Sequence, residues 1–258
     1  MKPNFVETSN YRRFTDALTR LDDRGAEEAC MVVVDGKPGL GKTKSMMRWT
    51  AQTQSIYLRA QRAWDYGWLM QELLGELSIT NVPRGRRDRF ELAIERLDDL
   101  STAAAIEGRP FGLVIDEADL ISGKPEVMEA IRGISDLKFL PTILVGMGKL
   151  RDNLRRFPQI ESRAPNKVEF RPATLDDASA LVSGLCEVPV ADDLVTFVWR
   201  LSKGYSREMV EAIKSIERFG QRLGPSPRGV SMADMAGQAI MNDRDTGRAI
   251  LVPETVDG

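Results

Sequence analysis

The stretch MVVVDGKPGLGKTKSMMRW, Met31 to Trp49, decides how the chain is read. Four strand-forming apolar residues, Met31 to Val34, run into Gly36-Lys37-Pro38-Gly39-Leu40-Gly41-Lys42-Thr43, which fits a phosphate-binding loop. From Lys44 to Thr50 there is no breaker, so a helix follows. The order of strand, glycine loop and helix gives the match its meaning. The loop must turn tightly enough to aim several backbone N–H groups at one phosphate, and glycine alone permits that approach at little steric cost. Lys42 then supplies a point charge for the β and γ phosphates, and the Thr43 hydroxyl is placed to hold Mg²⁺. Residues 36–44, closing with Lys44, are therefore the candidate nucleotide contacts.

A second stretch completes that chemistry. Phe111 to Ile115 is an apolar run ending in Asp116-Glu117-Ala118-Asp119. Such a run reads as a buried parallel strand that delivers carboxylates to its C-terminal edge. About 70 residues after a P-loop, it reads as Walker B. Asp116 would hold Mg²⁺ through water or together with Thr43, and Glu117 would orient and deprotonate an attacking water.

Composition narrows the chemistry further. With 42% hydrophobic and 29% charged residues over 258 positions, the chain has an ordinary globular balance and room for one large core plus a small second domain. The absence of histidine removes Ser-His-Asp and Cys-His catalysis and histidine zinc sites. Cys30 and Cys186, the two cysteines, flank or sit within apolar segments and read as packed, reduced thiols of a cytoplasmic protein. No signal-type leader or long apolar run appears, so no membrane association is expected. A net charge of −2 gives no overall attraction to nucleic acid, so any DNA contact needs a local patch.

The densest positive patch is NVPRGRRDRF, 81–90, where Arg84, Arg86, Arg87 and Arg89 fall in a Pro/Gly loop. They are the candidate contacts to the phosphate backbone of DNA; the alternative is a solvated turn before a helix at 88–100. Trp64, Tyr66 and Trp68 offer either a stacking platform for bases or, more commonly, a helix packing edge.

Taken in order, the chain predicts a short helix from Tyr11 to Leu21 capped by Ser9 or Asn10, then strands at 31–34, 54–59, 111–116, 141–146 and 167–170. Helices at 63–77, 88–100 and 126–135 come between them. Alternation of this kind predicts an α/β fold, with a parallel sheet covered on both faces. From Pro172 the pattern is helical only, at 174–185, 191–202 and 206–219. The expected division is a nucleotide-binding α/β domain at 1–171, a helical lid at 172–224, and a tail at 225–258 with one helix around Met232 to Met241.

Together the P-loop, the Asp-Glu Walker B, the further strands, an arginine-bearing segment at 151–163 and Gly204-Tyr205-Ser206-Arg207 in the lid resemble an AAA+ ATPase. That resemblance implies a five-stranded parallel sheet flanked by helices, with a small lid. FVETSNYRRF before the core and AWDYGWLMQELL after the second strand look like the B transposition protein of Mu-like phages and its relatives, the ATPase subunits of Tn7-like and IS21-like transposons. The resemblance spans roughly residues 5–220. It implies a homo-oligomer, a helical filament or ring. Such an assembly binds ATP, coats double-stranded DNA with little sequence preference, presents it to a transposase and dissociates on hydrolysis. For a phage-encoded protein the compartment would be the bacterial host cytoplasm.

By position, Arg207 looks like the sensor 2 arginine and Arg163 like the arginine finger, with Arg155 and Arg156 as weaker candidates. This chain departs from the pattern at sensor 1, where Gly146-Met147-Gly148 carries no polar side chain and Thr142 or another residue must substitute. The rival readings are a small-molecule P-loop phosphotransferase and a non-hydrolysing nucleotide-switch scaffold.

Overall fold

The computed structural model describes residues 1–23, 25–224, 228–244 and 246–254. Its contacts divide the chain into two compact units. One comprises residues 13–38 and 42–170, the other residues 1–12, 39–41 and 171–258.

The first unit is built on five strands: β1 (Met31–Asp35), β2 (Ile56–Arg59), β3 (Leu113–Asp116), β4 (Thr142–Val145) and β5 (Asn166–Glu169). Their spatial order is β2-β3-β4-β1-β5, and every pairing is parallel. This is the expected α/β fold. β1, β3 and β4 are buried along their whole length, whereas the edge strands β2 and β5 alternate between covered and open positions. That is why the three inner strands are continuous apolar runs and the outer two are not.

Helices α2 (Lys42–Thr53), α3 (Tyr66–Glu76), α4 (Arg86–Ile106), α5 (Pro125–Leu137), α6 (Lys149–Leu154) and α7 (Pro158–Glu161) connect the strands. The first helix, α1 (Ser9–Asp22), runs from one unit into the other. In the largest core, Met31, Val33, Leu58, Leu113, Ile115 and Leu144 meet Leu69, Leu73 and Leu97 from α3 and α4.

One local expectation is corrected here, and one choice between two readings is decided. The arginines at 86, 87 and 89 are not in a loop, because α4 already begins at Arg86. A side chain at Gly85 would fall 2.4 Å from the Asp88 carboxylate, so glycine at the N-cap lets Asp88 fold back over the helix start. The aromatic trio is a packing edge: Trp64 is fully buried, Tyr66 lies under the Arg86 guanidinium at 4.3 Å, and Trp68 bonds Glu72 through Nε1.

The second unit contains α8 (Leu175–Leu185), α9 (Asp192–Ser202), α10 (Ser206–Leu223) and an antiparallel pair, β6 (Ala239–Asn242) with β7 (Ala249–Leu251). The capping box of α8 joins Thr174 and Asp177 reciprocally. Ser9 and Asn10, expected as caps, are instead the first two residues of α1 and reach across the sequence. The Ser9 N–H and Oγ donate to Asp177, and the Asn10 amide exchanges bonds with the Arg171 backbone. Residues 1–12 therefore group with 171–258, although the sequence places them with the α/β part.

The helix expected around Met232 to Met241 is absent. Turns occupy 232–235 and β6 begins at Ala239, because Gly237 adopts φ +71° and its N–H donates to the Val252 carbonyl. Ile240 and Met241 are instead buried in the core of this unit with Ala212, Ile213 and Ile216 of α10. Residues 225–227 and 255–258 of the expected tail lie outside the described residues.

Candidate nucleotide site

The site is assembled where the strands end. β1 passes directly into the glycine loop, and Gly36, Gly39 and Gly41 take φ values of +149°, +90° and +89°. At Gly36 even a methyl group has no room, since a Cβ would lie 2.7 Å from the Phe170 carbonyl oxygen. Glycine is therefore required by both conformation and space. α2 starts at Lys42, which aims its N-terminus at the loop and provides N–H groups and a positive helix end for an anion.

Lys42 folds back over the loop, donating from Nζ to the carbonyls of Gly36 and Lys37 at 2.5 and 3.0 Å. Burial holds its pKa below the usual lysine value, opposed by the carboxylates of Asp35, Asp116 and Asp119. Thr43 Oγ1 donates to Asp116 Oδ2 at 2.7 Å, so the P-loop hydroxyl and the end of β3 are already joined. Asp116 is 3% exposed and also accepts from Tyr57 Oη at 2.8 Å and from the Glu117 N–H at 2.8 Å. The Tyr57 phenol is pushed far up, first by burial and then by its bond to Asp116.

A hydroxyl and a buried carboxylate in contact form an oxygen donor set suited to Mg²⁺, so these residues fit the implied cation. Among the described residues no cluster of three or more acidic or cysteine side chains suited to a metal occurs. Thr43 and Asp116 are the oxygen donors this edge would offer to such a cation, which commonly keeps several waters and binds substrate phosphates.

Glu117 sits beside Asp116 but turns away. Its backbone is left-handed at φ +56° and ψ +32°, and its carboxylate pairs with Arg59 at the end of β2, Oε1 to Nη2 at 2.5 Å and to Nε at 3.1 Å. The strand register explains the meeting, because Arg59 is paired with Asp116 across β2 and β3. At the other side of the sheet's C-terminal edge, Asp35 accepts from the Gly36 N–H at 2.6 Å. Arg151 Nε lies 3.1 Å from its second oxygen, an ion pair without hydrogen-bond alignment. Tyr57, Arg59, Asp35 and Arg151 carry no motif; only the sheet order brings them to this edge.

The remaining expected residues separate into engaged and open ones. Arg163 is bound within its own chain, with Nε 3.1 Å from Asp136 and Nη1 3.3 Å from Ser162 Oγ. Arg155 is exposed and 3.6 Å from Asp152, and Arg156 is exposed with no side-chain partner among the described residues. Arg207 lies in the first turn of α10. Its side chain is exposed, and its N–H donates to the Gly39 carbonyl at 3.1 Å within the second unit. Gly204 just before it must be glycine, since φ is +75° and a Cβ would meet Ala173 backbone atoms at 2.8 Å.

Of the arginines proposed for DNA, Arg86 pairs with Glu126, Arg87 with Glu91 at 2.7 Å, and Arg89 donates to the Pro83 carbonyl at 2.7 Å. Arg84 is exposed without such a partner among the described residues. Thr142 cannot replace sensor 1. It is fully buried at the start of β4, the end away from the loop, and its hydroxyl donates to the Leu140 carbonyl. Both cysteines are buried and free, and no described helix is long and apolar enough to cross a membrane.

A comparison with protein families matches residues 25–154, which hold the P-loop, Asp116 and Glu117, to the AAA domain. The chain belongs to the AAA domain family. No curated protein sequence matches it. Among solved structures, this AAA protein is similar to the ORC2 protein of Aeropyrum pernix in its ADPNP–ADP complexes, with a TM-score of 0.60, 13% identity and coverage of 87% of this chain and 66% of that one. It is also similar to Cdc6p from Pyrobaculum aerophilum (TM-score 0.57, 16% identity, 91% and 68% coverage). A third is the Aeropyrum pernix ORC1 protein in complex with DNA (0.55, 17%, 85% and 62%). At these identities the likeness is one of fold, and the chain spans about two thirds of their length.

Proposed function

We propose that this AAA protein binds and hydrolyses ATP, assembles in its ATP state on double-stranded DNA with little sequence preference, and presents that DNA to a transposase, as the B transposition proteins of Mu-like phages do. The observation that carries the nucleotide half is the 2.7 Å contact of Thr43 with Asp116 beside a glutamate, at the mouth of a glycine loop. Support for the DNA half comes from the fold it shares with an ORC1 protein solved with DNA. Mg²⁺, if bound, would be held by Thr43 and Asp116 and would neutralise phosphate charge.

In this reading the loop N–H groups and Lys42 hold the triphosphate, and Thr43 and Asp116 orient the metal side. Glu117 orients a water in line with the γ-phosphorus and takes its proton as the bond to the leaving ADP oxygen breaks. Glu117 has to leave Arg59 to do so, which makes turnover slow until that pair opens. Arg207 contributes from the lid, and an arginine of a neighbouring subunit completes the charge. Arg156 or Arg155 suits that role better than Arg163, whose guanidinium is held by Asp136. ATP turnover measured with and without random-sequence duplex tests the proposal. Turnover that is slow alone and rises severalfold with DNA is expected, whereas phosphate transfer only to a small-molecule acceptor would point to a phosphotransferase.

A further inference from the structure

The end of β4 has no polar side chain, yet it does not lack a polar group. Gly146 follows β4 at the sheet's C-terminal edge, and its N–H bonds the Val34 carbonyl of the neighbouring β1. A Cβ built on Gly146 would lie 2.9 Å from Asp119 Oδ1, 3.2 Å from the Asp119 backbone nitrogen and 3.0 Å from Leu150 Cδ2. The place that a side chain of residue 146 would take is thus occupied by the carboxylate of Asp119. That residue is held there by the single 3-10 turn Ala118–Leu120 after Walker B. A side chain at residue 146 would crowd Asp119 and Leu150, so the bare glycine leaves the Asp119 carboxylate its place.

The Asp119 carboxylate makes no hydrogen bond or ion pair among the described residues, although the residue is only partly exposed. It lies three residues beyond Asp116 at the same sheet edge, and its charge, like those of Asp35 and Asp116, favours the charged form of Lys42. As a carboxylate it can only accept hydrogen bonds, so it cannot donate to a γ-phosphate oxygen as an amide or hydroxyl at the end of β4 would. Its chemistry suits the hydrogen donors of this edge, and foremost the hydration shell of a cation held by Thr43 and Asp116. Outer-shell carboxylates of this kind orient a metal's shell and tune its affinity.

We infer that Asp119 is the positioning residue that stands in for the missing polar side chain of β4, acting on the divalent cation's hydration shell rather than on the phosphate. The inference rests on the ATP reading of the site.

Its test is the affinity for Mn²⁺, used in place of Mg²⁺ and followed by its electron paramagnetic resonance, in the full chain saturated with a non-hydrolysable ATP analogue. Asp119→Ala is expected to weaken Mn²⁺ binding by about 10-fold or more, with Asp119→Asn, which keeps an acceptor oxygen, in between. The metal-free affinity for the analogue stays unchanged in both. Gly146→Ala, which displaces the carboxylate without removing it, is expected to reproduce the metal defect. Mn²⁺ affinity unchanged in all three variants, with normal analogue binding, would overturn this inference alone. Failure of the unaltered protein to bind the analogue would overturn the ATP reading and this inference with it.

Discussion

The C-terminal edge of the five-stranded sheet and the first turn of α4 are both dense in charge, and they treat it in opposite ways. At the sheet edge, Lys42, Thr43, Asp116 and Asp119 converge from two separate segments, and part of their bonding capacity is unspent. Among the described residues the Asp119 carboxylate has no hydrogen bond, and the Lys42 ammonium bonds two loop carbonyls. In α4, Arg86, Arg87 and Arg89 crowd the positive end of a helix, where cations are disfavoured. Each is already bound by Glu126, Glu91 or the Pro83 carbonyl. Charge gathered for a ligand is left under-satisfied by its own chain; charge that belongs to the surface is compensated at once. The density of arginine in a sequence does not distinguish the two, but the identity of the partners does.

That contrast can be broken by substitution, beginning where the effect is largest. Lys42→Ala removes the ammonium that folds over the loop, and ATP affinity and turnover should fall by about 100-fold or more in a nucleotide titration and a phosphate-release assay. Retained turnover would show that the edge is not the working site. Glu117→Gln should lower turnover by about 100-fold while ATP affinity stays within about twofold, because a general base is lost and the phosphate cradle is intact. Arg59→Ala acts in the other direction. Freeing Glu117 from an exposed ion pair should raise turnover about two- to fivefold in the same assay, a range limited by solvent screening of such pairs. The smallest effects belong to the compensated turn. Arg86→Ala and Arg87→Ala should change duplex affinity by less than about twofold, whereas Arg84→Ala should reduce the steepness of the salt dependence by about one phosphate contact.

The parts of the site that were legible in the sequence are those a short segment builds by itself. Gly36 to Thr43 specify a loop and helix start through their own backbone demands, and the apolar run before Asp116 and Glu117 specifies a buried strand. Both follow from local sterics and burial. Contacts that depend on strand order escaped the sequence. Arg59 meets Glu117 only because β2 lies beside β3, and Asp119 fills the space at Gly146 only because β3 lies beside β4. Tyr57 on Asp116 and Arg151 on Asp35 are of the same kind.

Two misreadings have local causes. Met232 to Met241 carries a helical spacing of apolar residues, but Gly237 takes a left-handed conformation and the segment ends in a strand buried with α10. Arg86 to Arg89 reads as loop because proline and glycine precede it, whereas Gly85 serves as an N-cap. The helices expected at 174–185, 191–202 and 206–219, in contrast, were legible in the sequence, and the structure places them at Leu175–Leu185, Asp192–Ser202 and Ser206–Leu223.

In the proposed mechanism, the nucleotide at the sheet edge governs engagement with DNA. The most direct test is binding of the full chain to a labelled random-sequence duplex with ATP, with ADP and without nucleotide, beside Lys42→Ala. The account predicts cooperative binding that requires ATP, disappears in Lys42→Ala and falls steeply with salt. No binding under ATP at low salt, or equal binding in all three nucleotide states, would contradict it.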